Sequence, residues 1–184
     1  MSMNLPAESG LNVGALSSIF TATSTSYKYL FFIALVQLIE ERLKNGDPSR
    51  FFGLSEINCT LLSFGWYPHR FFKLSFGASD QVGKILDQLD FKLSENAVTS
   101  PSTGRHLKEA IQNQFEEIEA GKLQRFVPQR LLTPFFSSDL KGLPVHRKDE
   151  RIRLLANQYF TTTAPPLYRF CDDERSIELH RKRQ

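Results

Sequence analysis

The stretch Tyr27–Lys44 constrains this chain more than any other. It contains no Gly or Pro, follows a polar run at Thr21–Ser26 that offers N-caps, and stops at Asn45-Gly46 with Pro48 beyond. Such punctuation predicts one long helix. Its longest apolar run, Tyr29–Val36 with Leu38 and Ile39 beyond Gln37, falls well short of the ~20 residues needed to cross a bilayer. The expectation is a buried core helix, apolar nearly all round in its first half. In its second half Glu40, Glu41, Arg42 and Lys44 provide a wet face. This helix should be the central element of the fold.

Other helices follow from the same signals. Leu16 and Phe20 at i,i+4 spacing suggest a short helix over Leu11–Phe20. Ser55 precedes a stretch in which Ile57, Leu61, Leu62 and Phe64 share a side, predicting a helix that ends near Gly65–Pro68. Ser79-Asp80 caps a third, with Val82, Ile85, Leu86 and Leu89 on one face. His106–Ala120 reads as a helix closed by Gly121. Pro128, Pro134 and Pro144 keep residues 126–145 from any long regular element, and Ile152, Leu155, Ala156 and Tyr159 define a last helix over Arg147–Tyr159. Phe71–Phe76 reads as an extended bridge or a loop.

The expected class is mainly α, a compact domain of about five to six helices with at most a two- or three-stranded β element. Residues 1–10 are expected to form a flexible arm, 11–170 a single helical domain with a possible subdomain break at 94–104, and 171–184 a charged C-terminal tail. Sixteen Phe, five Tyr and one Trp predict an aromatic-rich core, since burying each ring stabilises by roughly 1.5–3 kcal/mol. Cys59 and Cys171 lie far apart without zinc-site spacing, and Met1–Gly10 has neither the charged nor the apolar region of a signal peptide. A cytoplasmic protein with reduced thiols and no membrane partner is expected.

Catalytic motifs are missing from the sequence. His69, His106, His146 and His180 have no partner at metal-ligand spacing, and there is no HExxH, CxxC, GxSxG, SxxK or phosphate-binding glycine loop. No cofactor or metal is expected, and the chain leans away from being an enzyme by itself. Glu116-Glu117 and Asp172-Asp173-Glu174 read as a solvated helix face and an acidic turn.

Charge is uneven. Residues 121–153 hold eight Lys or Arg against three Asp or Glu, although the whole chain is only +3. Arg125, Arg130, Lys141, Arg147, Lys148, Arg151 and Arg153 alternate there with Phe126, Phe135 and Phe136. Cations interleaved with aromatic rings suit a nucleic-acid backbone, with the rings stacking on bases or anchoring the segment. The alternative is that the rings are core and the cations solubilise. The candidate DNA contacts are Arg125, Arg130, Lys141, Arg147, Lys148 and Arg151, with Arg130 and Arg147 foremost, and the expectation is that this charge forms one continuous surface. Trp66 and Tyr67 are candidate partner-binding rings, against the reading that both are half-buried with polar tips at the surface.

Three stretches together resemble the N-terminal region of bacterial HNH endonuclease domain-containing proteins. They are Ser24–Leu35 (STSYKYLFFIAL), Gly65-Trp66-Tyr67-Pro68 through Phe72–Gly77 and Asp80-Gln81, and Phe126–Phe136 (FVPQRLLTPFF). In that group the region precedes an HNH nuclease module with a metal-dependent ββα site, often in restriction or phage-defence settings. Residues 1–184 contain no Cys-rich and His-rich segment of that kind, so the resemblance transfers no catalytic residue. It implies a role next to DNA cleavage, in binding DNA, gating a nuclease or joining subunits. The chain would be the N-terminal part of such a nuclease, or a short protein beside a separate effector. The rival expectation is an accessory interaction or self-association module.

Overall fold

The computed structural model describes residues 12–21, 26–76, 81–92, 101–125 and 127–180. Among these are seven α-helices: α1 (Val13–Ser18), α2 (Tyr27–Lys44), α3 (Leu54–Trp66), α4 (Gln81–Gln88), α5 (Pro101–Asn113), α6 (Val127–Leu132) and α7 (Val145–Tyr159). Three short strands, β1 (Phe51–Gly53), β2 (Tyr168–Phe170) and β3 (Ser176–Leu179), form an antiparallel sheet in the order β1-β3-β2. The class is mainly α with a small β element. The expected arm at residues 1–10 lies outside the described residues.

Helix α2 has the boundaries its sequence predicts, but it is not buried all round. Phe31, Ala34, Leu35 and Leu38, at i, i+3, i+4 and i+7, are buried against α3 and its neighbours. The opposite row, Tyr29, Ile33, Val36 and Leu43, is exposed, Leu43 to 69%. Tyr29, Ile33 and Val36, four and three residues apart, are neighbours on one face, while exposed Glu40 separates them from Leu43.

Helix α3 is the hub, burying Ile57, Leu61 and Leu62 in the main core and meeting α2, α4 and α5. Gly65 makes the close approach of α4 possible: a Cβ there would lie 2.9 Å from Val82 Cγ1. Instead of ending in a turn at Gly65–Pro68, the helix runs through Trp66 and widens into a π-turn over Tyr67–Phe71. Pro68 has no N–H to donate, and the widened turn closes with Phe72 N donating to Tyr67 O at 3.2 Å.

Helix α5 starts earlier than expected and ends at Asn113, with turns over 114–119. Glu119, not Gly121, takes the left-handed conformation, at φ 55°. Leu107 and Ile111 join the same core as Ile57 and Leu61. They bring α5 onto α3; most of the expected break at 94–104 lies outside the described residues.

The charged tail expected at 171–184 is corrected over its first ten residues, because β3 is the central strand. Phe52, Ile177 and Phe170 align across the three strands on the core side, and Phe51, Glu178 and Arg169 align on the other. Tyr168, fully buried, ties β2 to α6 by donating its hydroxyl to Pro128 O at 2.6 Å. Among the described residues no helix is long and apolar enough to cross a membrane.

Candidate nucleic-acid interface

The basic segment begins in the tight turn Ala120–Gln124, passes through α6 and a second tight turn at Thr133–Phe136, and enters α7. Its rings do not face outward where the structure describes them. Phe136 is buried and packs 6.1 Å from the Tyr159 ring, and Phe135 is half-buried against the core. These two are core rings, and Phe126 lies outside the described residues.

The cations divide into separate settings. Lys122 is ion-paired with Glu119 on the preceding turn. Arg153 is held by Glu174 at 3.0 Å, lies 5.1 Å over the Phe170 ring and bonds the buried Gln129. With the Gln129 amide nitrogen donating to Arg125 O at 3.1 Å, its oxygen accepts from Arg153 Nε and Nη2, each at 2.9 Å. Arg153 therefore joins α6, α7 and the β2–β3 turn. It is a structural cation.

Arg130 is exposed on α6 and acts electrostatically on Lys28 and Asp149. Burial, then repulsion from Arg130, lowers the Lys28 pKa. Burial raises the Asp149 carboxyl, opposed by Arg130 and Arg153. Arg130 thus belongs to a mixed-charge corner.

Arg147 and Arg151 occupy a different side. At about 100° per residue they lie within about 40° of each other on α7, whereas Asp149 and Arg153 lie about 120–160° away from them around the helix. Ile152, Leu155 and Ala156 are buried between the two flanks. The expected continuous basic surface is corrected to two flanks, because charged residues spread over Arg147–Arg153, nearly two turns of helix, cannot share one face. Lys148 is half-buried beside the Arg147 flank, Lys141 is exposed in the turn before α7, and Arg125 is exposed before α6. Among the described residues, no carboxylate pairs with Arg125, Lys141, Arg147, Lys148 or Arg151.

The start of α7 is electrostatically unusual. Its N-cap is Pro144, which makes no side-chain cap, and the first turn has no acidic residue while His146, Arg147 and Lys148 follow. Cations at this positive end of the helix dipole each cost about 0.3–1 kcal/mol. Arg151 and Glu150 continue the exposed surface one turn on.

The partner-binding pair is also reassigned. Trp66 is only 5% exposed and packs edge-on to Tyr67 at 5.1 Å and Phe91 at 5.4 Å, so its ring is core and offers no docking surface. Tyr67 is half-buried. The exposed rings of this segment are Phe71, the last residue of the π-turn, and Phe72 after it. The run of aromatics around Pro68 carried that signal, but which rings turn outward depends on the helix continuing past Gly65.

Among the described residues no group of three His, Cys, Asp or Glu side chains is placed to hold a metal ion. Compared with family models, curated proteins and solved structures, the chain matches none.

Proposed function

We propose that this chain is a non-catalytic DNA-binding or targeting domain that works beside an HNH-type endonuclease in cytoplasmic restriction or phage defence. It contacts phosphates through the α7 flank that carries Arg147 and Arg151. The observation that carries the reading is the start of α7, where Pro144 supplies no side-chain cap and cations without carboxylate partners among the described residues gather at a helix end that disfavours them. A polyanion relieves that cost, and its phosphates need no base recognition to bind. The association with HNH nucleases rests on the resemblance of the three stretches.

The test is fluorescence anisotropy with a labelled DNA duplex at several salt concentrations. Arg147→Ala/Arg151→Ala should weaken binding and reduce the slope of log affinity against log salt by about 0.9 for each phosphate that is no longer neutralised. Arg125→Ala/Arg130→Ala, away from that flank, should change it less. Unchanged binding by the first variant removes the proposal.

A second reading, an interaction or self-association module, is favoured by the outward row Tyr29, Ile33 and Val36 on α2. Apolar surface of this kind marks interaction sites. Light scattering of the protein and of Ile33→Lys distinguishes it: a complex that dissociates on substitution, with no DNA affinity, selects this reading.

A further inference from the structure

We propose that α7 reads duplex DNA from the major groove, with Glu150, Leu154 and Asn157 facing base edges while Arg147 and Arg151 hold one phosphate strand. This rests on the phosphate contact proposed above. Helix α7 packs on α6, the Thr133–Phe136 turn and β2, and buries Ile152, Leu155 and Ala156. With the buried face fixed by those three residues, about 100° per residue places Glu150, Leu154 and Asn157, at i, i+4 and i+7, within about 35° of the outward direction. All three are exposed. Arg147 and Arg151 lie about 45–90° to one side of that crest.

Phosphate binding accounts for the two arginines but not for the crest. Glu150 and Asn157 have no side-chain hydrogen-bond or ion-pair partner among the described residues. A carboxylate in this position repels phosphates, and Leu154, 56% exposed, offers them no hydrogen bond. Base edges in the major groove take all three groups. Cytosine N4 donates to a carboxylate, adenine N6 and N7 pair with an asparagine amide, and the thymine methyl packs against an apolar side chain.

The dimensions agree. The major groove of B-form DNA is about 12 Å wide and admits one helix, whereas side chains cannot read the deep, narrow major groove of A-form RNA. Glu150 to Asn157 spans about 10 Å along the helix axis, the rise of about three base pairs. The arginine flank then sets the helix against one strand, and the crest specifies the sequence.

The experiment selects ligands of the full chain from DNA duplexes with randomised central positions, then measures anisotropy of the selected duplex and a shuffled one at several salt concentrations. A site with about three adjacent preferred base pairs is expected, bound at least about tenfold tighter than the shuffled duplex. Glu150→Ala and Asn157→Ala should each erase the preference at one base pair, narrowing that ratio about fivefold or more, without changing the salt slope. Replacing adenine by 7-deazaadenine, which removes only the major-groove N7 acceptor, should reproduce the effect of Asn157→Ala. Equal binding of all sequences, with a salt slope that still depends on Arg147 and Arg151, overturns this proposal and leaves the phosphate contact standing. No binding of any duplex overturns both. A preference that survives Glu150→Ala, Asn157→Ala and 7-deazaadenine, or equal binding of an RNA duplex, also overturns it.

Discussion

Arg169 and Glu178 face each other across β2 and β3, with the Glu178 carboxylate 2.6 Å from Arg169 Nη2 and only 3% of the residue exposed. Arg50 closes the other side of that carboxylate at 2.8 Å. Glu178→Gln should lower stability by about 1.5–3 kcal/mol, the value of a hydrogen bond to a charged group. Full loss of a buried pair costs more, about 3–5 kcal/mol, but Arg50 and Arg169 reach water. Urea denaturation checks this, and an unchanged midpoint would show that the two guanidiniums are hydrated in the folded state.

Gly65 is where α3 and α4 approach most closely. Gly65→Ala adds a methyl group 2.9 Å from Val82 Cγ1 and within 3.4 Å of Leu86 Cδ1. Overpacking of this kind costs about 1–3 kcal/mol, against a gain of about 1 kcal/mol in helix propensity. A net destabilisation is expected, and Val82→Ala in the same molecule should relieve part of it. Additive thermal shifts in the double-mutant cycle would show that the clash is absorbed elsewhere.

Cys59 should be chemically quiet. Burial first, and Glu56 second, push its thiol up to about 11 against a weaker pull from Lys108. The thiolate is the reactive form, so at pH 8 its population is about a hundredfold below that of an ordinary thiol. Iodoacetamide should label Cys59 slowly in the folded protein and readily in denaturant, with mass spectrometry of peptides as the readout. Rapid labelling without denaturant would contradict the placement of this side chain.

His180 predicts a pH dependence with a definite sign. Its folded pKa is lowered from 6.5 by burial and by Arg50, so the unfolded chain binds the proton more readily. Its contribution to stability is present above pH about 6.5 and is lost as pH falls through the folded value. Denaturation midpoints of the native protein should decline between pH 7 and pH 5 more steeply than those of His180→Gln. Parallel profiles would refute the assignment.

Local chemistry made some elements legible in the sequence. The course and stop of α2 follow from an interior without Gly or Pro and from Asn45-Gly46, whereas Ser26 at its start makes no side-chain cap and donates its hydroxyl to Phe76 O. The last helix emerges from Ile152, Leu155, Ala156 and Tyr159 at helical spacing. The cations before and within it were equally visible, but their grouping was not, because a linear count of charge ignores how about 100° per residue distributes neighbours around a helix. Trp66 misled for a related reason: an aromatic beside Pro68 looks like a turn residue until the helix is seen to continue.

What the amino-acid order determined by itself is the helical class, the course of α2 and the concentration of positive charge late in the chain, since each depends on residues within a few turns of one another. Tertiary structure alone decided that Ser176–Leu179 is the central strand, that Arg153 is structural while Arg147 and Arg151 face outward, and that Arg50 and His180 meet the end of α2. Those outcomes depend on contacts between distant segments. A four-residue strand or a single guanidinium acquires its role only when a partner brought from elsewhere in the chain completes its hydrogen bonds and excludes water.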